Sequence, residues 1–129
     1  MTILETSVET YSISDVAAAT GVATTALRYY EQAGLMRNPV DRASSSHRRY
    51  TEADVRWVTF VTKLRSTGMP IRDIRRYTDL ARQGDGTTAA RLQLLRAHRE
   101  RVLEQLAEST AALAAIDFKI DSYERFTTR

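Results

Sequence analysis

Cysteine is absent from the 129 residues of this chain, and its absence removes several classes of function. Without a thiol there is no disulfide, no thiolate metal site, no cysteine nucleophile and no thiol-based redox sensor. Long apolar runs are also missing, since none approaches the roughly 18 residues that a membrane-spanning helix requires. The N-terminal stretch MTILETSVET lacks the basic and apolar blocks of a signal peptide. We therefore expect a cytoplasmic protein, with no cofactor and no bound metal.

Proline and glycine are scarce, with two and five copies, and aromatic residues make up only 8% of the chain. Few helix breakers between long amphipathic stretches predict a mainly α-helical fold. An enzyme is the poorest interpretation of this composition. Two distant histidines, without a glycine-rich phosphate loop, leave little from which a catalytic site could be built.

The net charge of +3 is unevenly distributed along the chain. Residues 1–27 hold three acidic side chains and no basic one, whereas residues 28–76 hold eleven basic and five acidic ones. Residues 77–129 hold eight of each sign. A localised basic excess is typical of surfaces that bind polyanions. A merely solvated basic face is the alternative.

The segment Thr20–Tyr30, TGVATTALRYY, is the centre of the predicted organisation. It has the pattern of the turn and second helix of a helix-turn-helix, with Gly21 in the turn. Ala26, Leu27 and Tyr30 share one helical face, which suits a core. The other side carries groups that bond to phosphates and base edges, on Thr24, Thr25, Arg28 and Tyr29. An ordinary exposed polar face is the alternative.

Two further elements flank this segment. Ser12 and Asp15 form a capping-box pattern, which predicts a short first helix that opens at Tyr11-Ser12 and ends by Gly21. The stretch Arg37–Tyr50 has no helical period, and it contains five basic side chains if its histidine is counted. We predict a β-hairpin wing here, with a mobile tip around residues 42–46. A disordered linker is the alternative.

Local patterns also delimit the next two helices. Thr51 and Asp54 repeat the capping pattern and predict a third helix that ends at about Thr67. Gly68-Met69-Pro70 breaks that helix, and a fourth follows because proline is favoured at a helix start. The stretch QGDG at residues 83–86 then marks the clearest boundary in the chain.

The stretch Thr87–Glu124 contains neither glycine nor proline, and it predicts a helix of roughly 55 Å. Ten positions in it are separated alternately by three and four residues, and eight of the ten are apolar. This is the heptad pattern of a coiled coil. The eight apolar positions, called the seam below, are Leu92, Leu95, Val102, Leu106, Leu113, Ile116, Ile120 and Tyr123. Such a helix cannot bury its own seam, so we predict a homodimer. Folding of the helix back onto its own domain is the weaker alternative.

Four stretches in this order resemble the MerR family of bacterial transcription regulators: YSISDVAAATGV, LRYYEQAGL, HRRYT and LRSTGMPIRDIRRY, followed by the long helix. The resemblance covers about Tyr11–Glu124. It implies a winged helix-turn-helix DNA-binding domain at 11–82 and a dimerisation helix at 87–124. It also implies an antiparallel coiled coil between two protomers, with flexible tails at 1–10 and 125–129. The stretches TGMPIRDIRRYTDLARQGDGT and IDFKIDSYE are similar to the branch that contains aldehyde- and thiol-stress regulators.

Members of this family bind a pseudo-palindromic operator between two promoter elements that are too far apart for RNA polymerase. On activation they bend and untwist that DNA. Their binding therefore depends on the deformability of the DNA as well as on contacts to base edges. The implied partners are double-stranded promoter DNA, RNA polymerase and a second copy of the chain. The residues that the resemblance places at DNA are Thr24, Thr25, Arg28 and Tyr29 in the recognition helix, His47, Arg48, Arg49 and Tyr50 in the wing, and Arg65 and Arg72 around a second wing at residues 68–70.

Three departures from the family pattern affect these expectations. Ser46-His47-Arg48 stands where the family commonly has Gly-Tyr-Arg, so that His47 replaces a tyrosine contact. Ala23 stands where a capping Ser or Thr is common, which leaves Thr24 as the candidate cap. Lys63 stands where thiol-sensing members carry a cysteine, which excludes a thiolate alkylation switch.

The regulatory signal is the feature that the sequence determines least. The alternatives are a small-molecule effector acting through the coiled coil or wings, an imine between an aldehyde and Lys63, metal or pH sensing at His98, and control by protein level alone. A solvent-facing His98 is the ordinary interpretation, and we expect no large C-terminal ligand domain. The competing function is a coiled-coil protein-interaction module whose basic surface binds a partner.

Overall fold

The computed structural model describes residues 10–38, 41–42 and 48–128, of which residues 41, 42 and 48 are described by their backbone alone. Within these ranges lie five α-helices and one short antiparallel sheet, which confirms the mainly α-helical class. The elements are α1 Ile13–Thr20, α2 Thr24–Gln32, β1 Asp41–Arg42, β2 Arg48–Arg49, α3 Glu52–Ser66, α4 Ile71–Gln83 and α5 Thr88–Thr127. One turn of 3-10 helix, Asp85–Thr87, joins α4 to α5.

Both predicted capping boxes are present. The Ser12 hydroxyl accepts a hydrogen bond from the Asp15 amide at 3.1 Å, and the Asp15 carboxylate accepts one from the Ser12 amide at 3.3 Å. Thr51 and Asp54 make the same reciprocal pair before α3. Each pair satisfies amide groups that the first turn of a helix leaves without a partner, which is why α1 and α3 begin where the sequence predicts.

The helix-turn-helix is built around a small core. Gly21 follows α1 at φ 75°, a left-handed conformation that costs glycine little, and it turns the chain toward α2. Val16, Leu27 and Tyr30 are buried, and the Tyr30 hydroxyl lies 3.1 Å from the hydroxyl of Thr62 in α3. These contacts fix one face of α2 against the domain and leave the opposite face outside.

The end of α2 returns the chain to the core. Gly34 takes φ 77°, its amide donates to the Glu31 carbonyl, and the Leu35 amide donates to the Tyr30 carbonyl at 2.9 Å. This pattern is a Schellman motif, which satisfies carbonyls at the helix end. Leu35 is completely buried, as its predicted contact with the core requires.

The predicted hairpin is present in the described residues, where Asp41 pairs with Arg49 and Arg42 pairs with Arg48. Its expected mobile tip lies almost wholly outside the described residues. An additional bridge was not predicted: Tyr11 and Tyr50 exchange backbone hydrogen bonds of 2.8 and 2.9 Å. Tyr11 therefore pairs with the end of the wing, and α1 begins only after it, at Ile13.

The two central helices supply most of the remaining core. Val58, Val61 and Leu64 of α3 are buried, as are Ile74 and Tyr77 of α4. Aromatic packing adds to this layer, because the Tyr77 ring lies 5.8 Å from both neighbouring ring centroids on α3, those of Trp57 and Phe60. Pro70 precedes the first residue of α4, as predicted.

The long C-terminal helix α5 has 40 residues, about 60 Å at 1.5 Å per residue. The chain divides into two compact units, of which the first ends at Leu92 and the second begins at Gln93. This division lies a few residues after the boundary that the sequence predicts at residues 83–86. Part of the predicted flexible tail is helical, since α5 continues through Thr127. No helix within the described ranges is long and apolar enough to cross a membrane.

Candidate nucleic-acid interface

The outer face of α2 presents the predicted polar groups. Thr25, Arg28 and Tyr29 are exposed and Thr24 is half-buried. The expectation that Thr24 caps the helix is wrong, because α2 begins at Thr24 and its N-cap is Ala23, which makes no side-chain hydrogen bond. The threonine hydroxyl is therefore not engaged as an N-cap. Amides of the first turn that lack a capping side chain can donate to an anion such as a phosphate.

Arg65 at the end of α3 joins this face. Its guanidinium carbon lies 5.6 Å from the centroid of the Tyr29 ring, within the range of a cation–π interaction. The structure thus brings together two predicted contact residues that are far apart in sequence. At an exposed site such a pair contributes only about 0.5–1 kcal/mol, so its main effect is to orient the two side chains relative to each other.

The predicted wing residues have different environments. Arg49 is exposed on β2. Arg48 lies in the same strand, where its backbone pairs with Arg42, and His47 lies outside the described residues. The assignment of Tyr50 as a phosphate contact is wrong, because 0% of its surface is exposed and its hydroxyl donates to the Glu31 carboxylate. Tyr50 instead ties the end of the wing to α2.

This tie predicts a measurable loss of stability. Replacing Tyr50 by phenylalanine removes the donor to a half-buried carboxylate and should lower the free energy of unfolding by about 1–2 kcal/mol. Tyr29→Phe is the matched control, since the Tyr29 side chain is exposed. Loss of its hydroxyl should change the free energy of unfolding by less than about 0.5 kcal/mol. Urea unfolding followed by circular dichroism measures both. Equal small effects would contradict a structural role for the Tyr50 hydroxyl.

Arg72 belongs to α4 and makes no hydrogen bond or ion pair with α2 or Arg65 within the described residues. It is exposed in the first turn of α4, and its one ion pair within the described residues is a loose contact of 3.9 Å with its neighbour Asp73. A pair of this length at the surface holds the side chain weakly. The guanidinium therefore remains free to reach a backbone phosphate, as the second wing would require.

A group of side chains that the sequence did not single out holds the segment between α2 and the hairpin. This segment, Ala33–Arg37, is called the connector below. Its carbonyls accept hydrogen bonds from four side chains of α3 and α4, which are Trp57, Arg75, Thr78 and Arg82. Arg75 and Arg82 thus bond to backbone carbonyls instead of presenting free charge. An arginine in the last turn of a helix is a weak sequence indication of carbonyl capping, but the partner segment cannot be read from it.

The structure also bears on the candidate sensing residues. The expectation that His98 faces solvent is wrong, since only 5% of its surface is exposed. Lys63 is exposed on α3. Within the described ranges there is no group of three or more His, Cys, Asp or Glu side chains that could hold a metal ion.

The seam residues of α5 lie largely open in the isolated chain. Leu95 and Val102 are partly buried, whereas the other six are exposed, with Leu106 and Leu113 at 60% and 56%. Three large apolar side chains outside the predicted seam are exposed as well, namely Leu103, Phe118 and Phe126. An apolar surface of this extent is unusual for a monomer and is typical of an interface.

Comparison with known proteins gives a consistent result. The family model described as "MerR HTH family regulatory protein" matches residues 11–80, and the model described as "MerR, DNA binding" matches residues 55–117. An uncharacterized HTH-type transcriptional regulator of Haemophilus influenzae is 32% identical over 116 residues, which cover 90% of this chain and 85% of that protein. The regulator AdhR of Bacillus subtilis is 39% identical over 93 residues, which cover 72% of this chain and 66% of that protein.

A solved structure shares the same fold. The crystal structure of HiNmlR, described as a MerR family regulator lacking the sensor domain and bound to promoter DNA, superposes with a TM-score of 0.82 at 32% identity. The superposition covers 91% of this chain and 92% of that one. From the arrangement of helices and wing, and from these matches, the chain belongs to the MerR family of helix-turn-helix transcription regulators.

Proposed function

We propose that this regulator binds a pseudo-palindromic promoter operator as a homodimer and controls transcription by distorting that DNA. The observation that carries the proposal is the outer face of α2. There Arg28 and Thr25 are exposed, and Arg65 covers Tyr29, on a helix whose inner face is fixed by Leu27 and Tyr30. A rigid helix that presents a forked cation, hydroxyls and a phenol suits the major groove. HiNmlR, which shares the fold, was solved on promoter DNA.

The proposed roles follow from chemistry and exposure. Thr24, Thr25, Arg28 and Tyr29 contact base edges and nearby phosphates, because their polar groups lie on the free side of α2. Arg49, together with Arg48 and His47, contacts the backbone through the wing, and Arg65 and Arg72 do so around residues 68–70. Phosphate contacts of this kind fix the register of the protein on the duplex, while base contacts select the sequence.

The seam provides the contact surface for a second protomer. In the proposed dimer two copies of α5 pair as an antiparallel coiled coil and bury the exposed leucines and isoleucines of both chains. Two recognition helices held by one dimer select two half-sites, so that the symmetry of the operator mirrors that of the protein. Distortion of the DNA between the half-sites would then present both promoter elements to RNA polymerase in the cytoplasm. In this proposal a small-molecule effector acts only by regulating the distortion of the DNA.

Selection of DNA from a random pool by the purified protein tests the proposal. Enrichment of a palindrome with half-sites about one helical turn or a multiple apart is the expected outcome. Affinity for that site should fall steeply with salt, because phosphate contacts release counterions. An unenriched pool, from protein shown to be folded and dimeric, would contradict the proposal and favour a protein-interaction module.

Arg28 should contribute strongly to operator affinity. We expect Arg28→Ala to weaken binding to the selected operator by about 1–3 kcal/mol and to relax preference at one position of each half-site. Arg76→Ala is the control, because Arg76 is exposed on α4 and makes no hydrogen bond or ion pair among the described residues. It removes the same charge and should have a smaller effect. Fluorescence anisotropy measures both variants, and an unchanged affinity would remove Arg28 from the interface.

A further inference from the structure

Side chains of α3 and α4 hold the connector in addition to its backbone bonds to the end of α2. The Arg75 Nε donates to the Ala33 carbonyl at 2.9 Å, next to the end of α2. Trp57 Nε1 donates to the Leu35 carbonyl at 2.7 Å. The Thr78 hydroxyl lies 3.4 Å from the same carbonyl and 2.9 Å from the Ile74 carbonyl in its own helix, so it is the weaker contact. These bonds fix the first half of the connector against α3 and α4.

Among the described residues, Arg82 alone donates side-chain hydrogen bonds to the second half of the connector. Its Nε donates to the Arg37 carbonyl at 3.0 Å, and one terminal nitrogen donates to the Met36 carbonyl. The other terminal nitrogen lies 3.3 Å from the Asp79 carboxylate, one turn earlier in α4. All three nitrogens of one guanidinium are thus used to hold the chain just before it enters the wing. The planar, rigid fork of arginine makes this geometry available, whereas a lysine has a single ammonium group.

The same turn of α4 is bonded to the start of α5. The Thr87 hydroxyl donates to the Leu80 carbonyl at 2.7 Å, and Arg91 donates to the Gly84 carbonyl at 3.2 Å and to the Thr87 hydroxyl at 3.0 Å. The last turn of α4 therefore bonds to the connector through Arg82 and to Thr87 of the 3-10 turn, whose hydroxyl accepts a hydrogen bond from Arg91 of α5. All of these residues belong to the first compact unit.

We propose that Arg82 is a positioning residue for DNA binding, which sets the placement of the wing relative to α4 without touching DNA itself. This inference rests on the proposed function. Hydrogen bonds from one guanidinium to two successive carbonyls restrict the connector just before the hairpin that carries Arg49. Loss of these bonds leaves the core intact, since Arg82 is itself exposed. It loosens the entry to the hairpin, where β1 pairs with Arg49, while Tyr50 still ties the exit of the hairpin to α2.

The first test compares Arg82→Met with Arg76→Met, which removes the same charge from an exposed position in the same helix. Both variants should remain folded and dimeric. We expect Arg82→Met to lower operator affinity about three- to tenfold more than Arg76→Met, and Arg82→Lys to restore part of the loss. Hydrogen exchange of the amides of residues 36–38, 41 and 42 should accelerate in Arg82→Met and stay unchanged in Arg76→Met.

A double-mutant cycle separates positioning from a general structural role. Arg49→Ala removes a wing contact and Arg28→Ala removes a contact of α2. In the wild-type background Arg49→Ala lowers operator affinity by a certain factor. We expect that factor to be less than half as large in the Arg82→Met background, whereas the factor by which Arg28→Ala lowers operator affinity should be the same in both backgrounds. Coupling to Arg49 without coupling to Arg28 is expected when Arg82 acts through the backbone of the wing, because residues that share no contact or backbone shift have additive effects.

Two results would overturn the inference while the wild-type protein still binds its operator. One is that Arg49→Ala lowers operator affinity by the same factor in the wild-type and Arg82→Met backgrounds, or lowers it in neither. The other is unchanged hydrogen exchange at the amides of residues 36–38, 41 and 42 in Arg82→Met. Failure of the wild-type protein to select any DNA would instead contradict the proposed function, and the exchange measurement would still decide whether Arg82 restrains the connector.

Discussion

Replacing Leu106 and Leu113 together by glutamate is expected to leave a folded chain that no longer dimerises. In the single chain these side chains are 60% and 56% exposed, so the substitutions remove little intramolecular packing. In a coiled coil they would place four carboxylates in the apolar seam, where burial of unpaired charge is strongly unfavourable. Analytical ultracentrifugation at micromolar concentration should show a monomer. Operator affinity should fall by about 100-fold or more, because the second half-site is no longer held at a high effective concentration.

The control for this variant is Ala107→Glu with Ala114→Glu. These two alanines have the same spacing of seven residues, each one position after a seam leucine, and both are exposed on the helix. The control adds the same charge outside the seam and should remain dimeric. Dimerisation of the Leu106 and Leu113 variant at wild-type strength would contradict the predicted interface, and equal dissociation of both variants would indicate a general effect of charge on α5.

Truncation of Leu27 is the substitution with the largest expected effect on folding. Leu27 is 0% exposed at the centre of the inner face of α2. We expect Leu27→Ala to lower the free energy of unfolding by about 2–5 kcal/mol, since it removes buried methyl groups and leaves a cavity. Urea unfolding measures this loss.

Thr25→Ala on the outer face of the same helix is the matched control, with an expected change in stability of less than about 0.5 kcal/mol. Any operator binding that remains in Leu27→Ala at low temperature should keep the wild-type sequence preference, because the reading face of α2 is unchanged. A loss of stability below about 1 kcal/mol would contradict the tight packing of α2 against the domain.

Much of the fold is predictable from local patterns. The capping boxes at Ser12 and Thr51, the turn at Gly21 and the proline before α4 each depend on interactions within four residues of the chain. The long helix and its seam follow from a period repeated over almost five heptads. Such features are encoded by neighbouring residues, so the structure confirms the existence and the order of the helices and shifts their bounds by only a few residues.

The misassignments have a different cause. Tyr50 follows two arginines in a basic hairpin and resembles a contact residue, yet its hydroxyl is directed to Glu31 of α2 and its backbone to Tyr11. His98 lies among charged residues of a helix and is nonetheless buried. The partners of Tyr50 are distant in sequence, and no local period indicates which groups they are or that His98 is buried.

The sequence by itself determined that this chain is helical, that α2 has one apolar and one polar face, and that α5 carries an apolar seam. These properties depend on residue spacing along single elements. Only the tertiary structure decided which cations are free for DNA. Arg28 and Arg49 remain exposed, whereas Arg75 and Arg82 bond to carbonyls of the connector more than forty residues earlier. In the composition all of these arginines are equivalent. In the folded protein, a guanidinium is available to a phosphate only if it does not already donate to a backbone carbonyl.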